Sequence, residues 1–219
     1  MVETLGIGMI GYGMIGRMHA LGLRELNLMY PGQLPRLRLA AVCTAREATA
    51  CAAAEEAGFA TGCCDLESLV QRPDVGVVLC MAPNDLHRPA VLAAIAAGKP
   101  VLCEKPLALN LAEACEIAAA SASTGVPVGL VFNYRFVPAT LRARQLVEEG
   151  ALGEVYHFRA EYLHSGYQDP NRPMGWRLRR ERAGGGALVD LGSHAIDLVR
   201  WLLGEFTHVR AETRTFIAE

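Results

Sequence analysis

Leu5-Gly-Ile-Gly-Met-Ile-Gly-Tyr-Gly-Met-Ile-Gly16 is the stretch that decides the fold. Its first half, Leu5 to Ile10, reads as a strand that is apolar throughout. Its second half is a G-x-G-x-x-G turn, Gly11, Gly13 and Gly16, and a helix follows from about Ile15 to Met29. A glycine turn alone is weak and has an ordinary structural reading. Placed between a buried strand and a helix, it gains a specific one. The glycines permit a tight turn and close approach of a pyrophosphate, while the free N–H groups of the helix start, at Met14 and Ile15, receive the phosphate charge. Dinucleotide binding is the favoured reading.

The same alternation continues outward. Strands are expected at Leu37 to Cys43, Val75 to Met81, Val101 to Cys103 and Val126 to Phe132, with helices at Glu47 to Ala57, Pro89 to Ala97 and Leu111 to Ala120. A further short strand and helix fit within Thr61 to Val70. Apolar strands separated by helices imply a parallel sheet covered on both faces. Past residue 130 the texture changes. A helix is expected over Pro138 to Gly150 and another over Leu188 to Leu203. Half-buried strands are expected over Glu154 to Leu163, where Val155, His157, Arg159 and Glu161 alternate with Tyr156, Phe158, Ala160 and Tyr162, and over Thr207 to Phe216. The expected organisation is an α/β fold, with a Rossmann-type domain over residues 1–130 and an α+β domain over 131–219. Two strands alone make a marginal sheet, so the natural chain is expected to continue beyond Glu219.

Composition narrows the functional classes. The 219 residues carry 21 Lys+Arg against 23 Asp+Glu, a formal charge of -2, which argues against broad electrostatic binding to nucleic acid or anionic lipid. With 52% hydrophobic and 20% charged residues the chain has material for a core. No apolar run approaches the roughly 18 residues of a membrane helix, and the Met1-Val-Glu-Thr4 start lacks a basic leader region. A soluble cytoplasmic protein is expected. Seven cysteines, an odd number without a C-x-x-C pair, read as reduced thiols, and Cys43, Cys80 and Cys103 as buried strand-end packing.

Several constellations carry chemistry. After the second strand, where an NAD site usually places a carboxylate for the ribose hydroxyls, stands Thr44-Ala-Arg46. Losing the carboxylate removes repulsion against a 2′-phosphate and an arginine can pair with it, which tilts the cofactor from NAD toward NADP. Arg46 as a solvated helix-start residue is the competing view. Pro83, Asn84 and His87 follow the third of the main strands and suit ribose or nicotinamide contact, or a helix cap at Asn84. Glu104-Lys105-Pro106 follows the next strand on the same carboxyl edge, where a lysine can stabilise developing negative charge. Gly184-Gly-Gly186 leads into Asp190, His194 and Asp197 at i, i+4 and i+7, two acids and a histidine on one helix face. His194 suits proton transfer with Asp190 orienting it, and Asp197 is read as structural. No second ligand cluster supports a metal site. Arg172, Arg177, Arg179, Arg180 and Arg182 form a basic loop that reads first as solvated surface. Trp176 is read as core packing or as a sugar platform. His19, His157, His164 and His208 are assigned no chemistry.

Together these residues resemble the glucose–fructose oxidoreductase/inositol dehydrogenase (Gfo/Idh/MocA) family. The motifs run in order through the G-x-G-x-x-G, Pro83-Asn84 with His87, Gly98-Lys-Pro-Val-Leu-Cys-Glu-Lys-Pro106, Asn133-Tyr-Arg-Phe136, Gly150-Ala-Leu-Gly153 and the Asp190…His194 stretch. The resemblance implies a Rossmann domain followed by an α+β domain whose open, mostly antiparallel sheet mediates homo-oligomerisation, as a dimer or tetramer. It implies hydride transfer between NAD or NADP and a hydroxyl or carbonyl carbon of a small sugar, polyol or cyclitol. Lys105 would be the catalytic lysine, and Asp190 and His194 the acid–histidine pair. Gly11, Gly13, Met14, Ile15, Gly16, Thr44, Arg46, Pro83, Asn84, His87, Glu104 and Lys105 are the expected cofactor contacts. Two rivals from other classes are an NAD-retaining glycoside hydrolase of the same family and a non-catalytic NADP-sensing regulator. The second has no need of a proton-transfer pair.

Overall fold

The computed structural model describes residues 4–166, 169 and 171–215. The chain divides into two compact units. One comprises residues up to Val131 together with Glu181–Gly184; the other comprises Phe132–Arg180 and the residues from Gly185 onward.

In the first unit β1 (Thr4–Ile10), α1 (Met14–Met29), β2 (Arg36–Cys43), α2 (Glu47–Ala57), β3 (Thr61–Cys63), α3 (Leu66–Val70), β4 (Val77–Cys80), α4 (His87–Ala96), β5 (Val101–Glu104), α5 (Leu111–Thr124) and β6 (Val128–Val131) alternate along the chain. The six strands form one sheet in the order β3-β2-β1-β4-β5-β6, every pair parallel. This is the doubly wound order that reverses between β1 and β4 and opens a crevice at the carboxyl ends there. Burial explains why the strands read as apolar runs. Ile7, Met9, Leu39, Val42, Leu79 and Met81 pack with α1 and α2 on one face. Val78, Cys80, Val101 and Cys103 pack with α3, α4 and α5 on the other. A sheet wet on neither face has no polar positions to alternate with.

Cys43, Cys80 and Cys103 are buried at strand ends, as expected. Burial pushes the Cys43 thiol up to about 12. The hydrogen bond with Cys80, then burial, pushes the Cys103 thiol up further. Both are held as inert thiols.

In the second unit a 3-10 turn (Asn133–Phe136) leads into α6 (Pro138–Glu148), whose proline stands in the first turn. The short helix α7 (Arg180–Ala183) lies, from Glu181 on, in the first unit, while in the second a π turn (Leu188–Gly192) runs into α8 (Ser193–Leu203). The two expected strands are not formed. Residues 154–163 are exposed and form no regular element, with no ladder partner among the described residues, and the same holds for 207–215; Phe216 lies outside them. The alternation specifies which face would be buried beside a neighbour, but it cannot provide the neighbour. Without one, the backbone groups are left to water.

Candidate functional site

The carboxyl edge of the sheet is built around the exit of β1. Gly11 donates its N–H to the Cys43 carbonyl at 2.8 Å and adopts φ +88°. A Cβ there would stand 2.7 Å from the Ala82 backbone just beyond β4, so only glycine fits the approach. Gly16 is equally close to the chain, since its Cβ would stand 2.6 Å from the Gly11 carbonyl oxygen. Gly13 differs: a Cβ on it meets nothing within 4 Å. It is the N-cap of α1, with no side-chain cap and no acidic residue in the first turn. The N-terminal amides of a sixteen-residue helix therefore open on free space over a residue without a side chain. These features fit a pyrophosphate.

At the end of β2, the Thr44 hydroxyl lies 2.6 Å from that of Thr49, and both bond to the Arg46 carbonyl, at 3.1 and 2.8 Å. Thr44 thus shapes the turn. The exposed Arg46 side chain has no ion-pair partner among the described residues. No carboxylate stands at this corner in Thr44-Ala-Arg46.

Beyond β4, Asn84 is buried and donates to the Ala183 carbonyl at 3.0 Å, so it is not a helix cap. Asp85 pairs with Arg182 at 3.0 Å, and this member of the arginine loop is thereby structural. His87 departs from the expected cofactor contact. The ring is fully buried, with Nδ1 2.7 Å from the Pro106 carbonyl oxygen and Nε2 2.9 Å from that of Ala82. It faces the core because it is the first residue of α4, on the stripe continued by Ala90, Val91 and Ala94. Cys80, His87 and Cys103 bring their ligand atoms within 4.8 Å of one another, but both ring nitrogens already face carbonyls.

Beyond β5, the Lys105–Pro106 peptide is cis and Lys105 is half-buried. Its N–H donates to Glu104 Oε2 at 3.3 Å, and Glu104 Oε1 lies 3.1 Å from His19 Nε2. His19 was given no chemistry by sequence reasoning. The available signal was its spacing: Ile15, His19 and Leu23 fall at i, i+4 and i+8, a polar residue within a helix's apolar stripe.

In the second unit His194 and Asp197 are buried. The Arg135 guanidinium donates from Nε to Asp197 Oδ2 at 2.7 Å and from its terminal nitrogen to Oδ1, which makes Asp197 structural, as expected. The continuous helix expected from Leu188 is interrupted by the π turn, which contains Asp190, while His194 stands in the first turn of α8. Tyr134 stacks on the His194 ring at 4.3 Å between centroids, and Phe132 meets it edge-on at 6.0 Å. The Tyr134 and Tyr162 hydroxyls are 2.8 Å apart. That bond, then burial and the nearby charges of Tyr134 and Asp190, raise the Tyr162 hydroxyl above its ordinary range. Asp190 Oδ2 is 3.9 Å from Arg177 Nε, and Arg177 lies over the Trp176 ring. Tyr134 stood in the Asn133-Tyr-Arg-Phe136 motif and Tyr162 in the alternating stretch, but sequence reasoning gave neither a role at the site, because an aromatic carries no mark of its partner.

Residues 5–132 match the model of an oxidoreductase family with an NAD-binding Rossmann fold, and residues 140–219 match the GFO/IDH/MocA C-terminal domain. The chain belongs to the GFO/IDH/MocA oxidoreductase family. Levoglucosan dehydrogenase of Pseudarthrobacter phenanthrenivorans is 36% identical over 100% of this chain and 56% of its own length. Inositol 2-dehydrogenase of Gluconacetobacter diazotrophicus is 37% identical over 93% of this chain and 56% of its own. A solved levoglucosan dehydrogenase in complex with NADH and levoglucosan superposes with a TM-score of 0.90 at 36% identity, covering 93% of this chain and 55% of that one. The GFO/IDH/MocA chain described here thus spans little more than half the length of these relatives. None of its described helices is long and apolar enough to cross a membrane.

Proposed function

We propose that the protein is an NAD(P)-dependent oxidoreductase that moves a hydride between nicotinamide and a hydroxyl or carbonyl carbon of a sugar, polyol or cyclitol. The observation that carries the reading is the uncapped, glycine-lined start of α1 at the point where the strand order reverses. Relatives whose names specify levoglucosan and inositol support the substrate class. The amides around Gly11, Gly13, Met14, Ile15 and Gly16 would hold the pyrophosphate. The chain at Pro83, Asn84, Glu104 and Lys105 would border the nicotinamide half, with the Asn84 side chain already committed to Ala183. Bound nicotinamide supplies the hydride donor or acceptor. A ring nitrogen of His194 takes the hydroxyl proton, with Asp190 as its orienting acid, and the Lys105 ammonium stabilises negative charge on the substrate oxygen.

The cofactor preference is read as NADP, from the lack of a carboxylate at Thr44 and from the exposed Arg46 side chain, which has no ion-pair partner among the described residues. Titration following nicotinamide fluorescence tests this. NADPH should bind at least about tenfold tighter than NADH, or about 1.4 kcal/mol; tighter NADH binding overturns the preference. Lys105→Ala and His194→Ala should each lower kcat by roughly 10²-fold while the cofactor still binds. Near-wild-type turnover in either removes that residue from the mechanism. The whole protein is read as a homo-oligomer, to be checked by light scattering.

A further inference from the structure

We infer that His87 is a positioning residue for Lys105: the buried imidazole holds the Pro106 carbonyl, one residue past the lysine, while its other edge lies against the chain at Ala82, just beyond β4. The inference rests on the reading of Lys105 given above and adds the group that sets where that lysine stands.

The geometry locks the lysine loop from two sides. On the N–H side, Lys105 donates to Glu104, which His19 holds from α1. On the carbonyl side, the loop meets His87. Both ring nitrogens face carbonyls, which only accept, and a neutral imidazole has one N–H; the tautomer assigned here places it on Nδ1, which donates to Pro106 across the shorter 2.7 Å contact. The ring is 0% exposed, so water cannot replace it at that carbonyl. The ring's own base is rigid, because His87 opens α4, whose Ala90, Val91, Ala94 and Ile95 are all buried in the core.

The opposite edge of the ring, 2.9 Å from the Ala82 carbonyl oxygen, is informative. Ala82 is also the residue against which Gly11 packs, with its Cα and N each 2.7 Å from the place a Gly11 Cβ would take. One residue thus touches both the pyrophosphate turn and the histidine that holds the lysine loop. His87 thereby references Lys105 to the cofactor cradle without presenting a surface to the cofactor. A displacement of about 1 Å in such a group costs on the order of 10²-fold in rate.

Three variants separate positioning from mere support of the core. In His87→Asn the side-chain amide stands near the place of Nδ1 and can still donate to Pro106. In His87→Gln it reaches only the place of Nε2, and His87→Leu donates to neither. The first readout is amide hydrogen exchange over residues 104–109, which needs no substrate. Exchange there should stay near wild type in H87N and rise at least about tenfold in H87Q and H87L, with similar melting temperatures for H87N and H87Q. The second is turnover with NAD(P) on a panel of levoglucosan, myo-inositol and xylose. H87N should keep kcat within about fivefold of wild type, and H87Q should lose about 10²-fold, with cofactor Kd within about twofold in both. Equal exchange in H87N and H87Q, or exchange that only follows melting temperature, overturns the positioning role. Because H87N and H87Q decide it between them, unfolding of H87L does not matter. Normal turnover of K105A would instead refute the catalytic reading of Lys105 and leave the exchange contrast standing.

Discussion

The two units keep different things out of water. In the first, the buried side chains are Ile, Val, Leu, Met, Ala, Phe and Cys, with Asn84 and His87 the polar exceptions. In the second, the buried positions among the described residues are His194 and Asp197 alone. The first unit is held by area, which is non-directional and tolerant of which apolar residue supplies it. The second is held by named partners: Arg135 on Asp197, Tyr134 on His194 and Tyr134 on Tyr162. An apolar core advertises itself in sequence as runs; a polar pair does not.

Truncating a core side chain should separate the units most. Leu69 is 0% exposed, and Leu69→Ala is expected to cost about 4 kcal/mol in urea unfolding. Leu178, at 41% exposure, should cost less than about 1 kcal/mol as Leu178→Ala. Equal costs would break the comparison.

The polar pair should be asymmetric. Arg135→Ala strands a carboxylate whose side chain is 6% exposed and should cost about 3 kcal/mol. Asp197→Ala leaves a guanidinium at 36% exposure that can turn to water, and should cost about half as much. Hydrogen exchange in α8 reports both; a larger loss in D197A contradicts this account.

Within the first unit the glycine turn offers a finer contrast. Gly11→Ala meets both a positive φ and the Ala82 backbone, and should cost about 2 kcal/mol of stability. Gly13→Ala meets open space, so its stability should change by less than about 0.5 kcal/mol while cofactor affinity falls. Thermal melts alongside nicotinamide titration distinguish the two.

A small effect is also expected with pH. The hydrogen bond from Arg72, then that from Arg38, hold the Asp74 carboxyl below its ordinary range. A depressed carboxylate stabilises the fold above its unfolded pKa, near 4, and the contribution disappears as pH falls through the folded value. With about a third of its side chain exposed, at 32%, the gain should stay below about 1 kcal/mol. The stability difference between wild type and Asp74→Asn should be level from pH 6 to 8 and shrink below pH 4; one that grows on acidification reverses the sign.

The same contrast explains what was legible. Five of the six strands of the parallel sheet were visible as apolar runs, and the short β3 and α3 fell inside the weakly patterned Thr61 to Val70 stretch. The glycines were legible because close approach to Ala82 and to the Gly11 carbonyl demands them. Residues 154–163 misled, since alternation describes a face and a strand also needs a neighbour. His87 was recognisable as a motif residue but its direction was not: the helix phase of α4 turns it into the core.

Hydrophobic period, glycine spacing and residue type are local properties of the chain, so the sequence by itself determined the parallel sheet covered on both faces, the glycine turn and the family motifs. Which polar groups meet is not local. Glu104 with His19, His87 with Pro106, Asp197 with Arg135 and Tyr134 with Tyr162 join residues 85, 19, 62 and 28 positions apart. Tertiary structure decided those pairs, because a hydrogen bond depends on distances and angles that only the packed elements set.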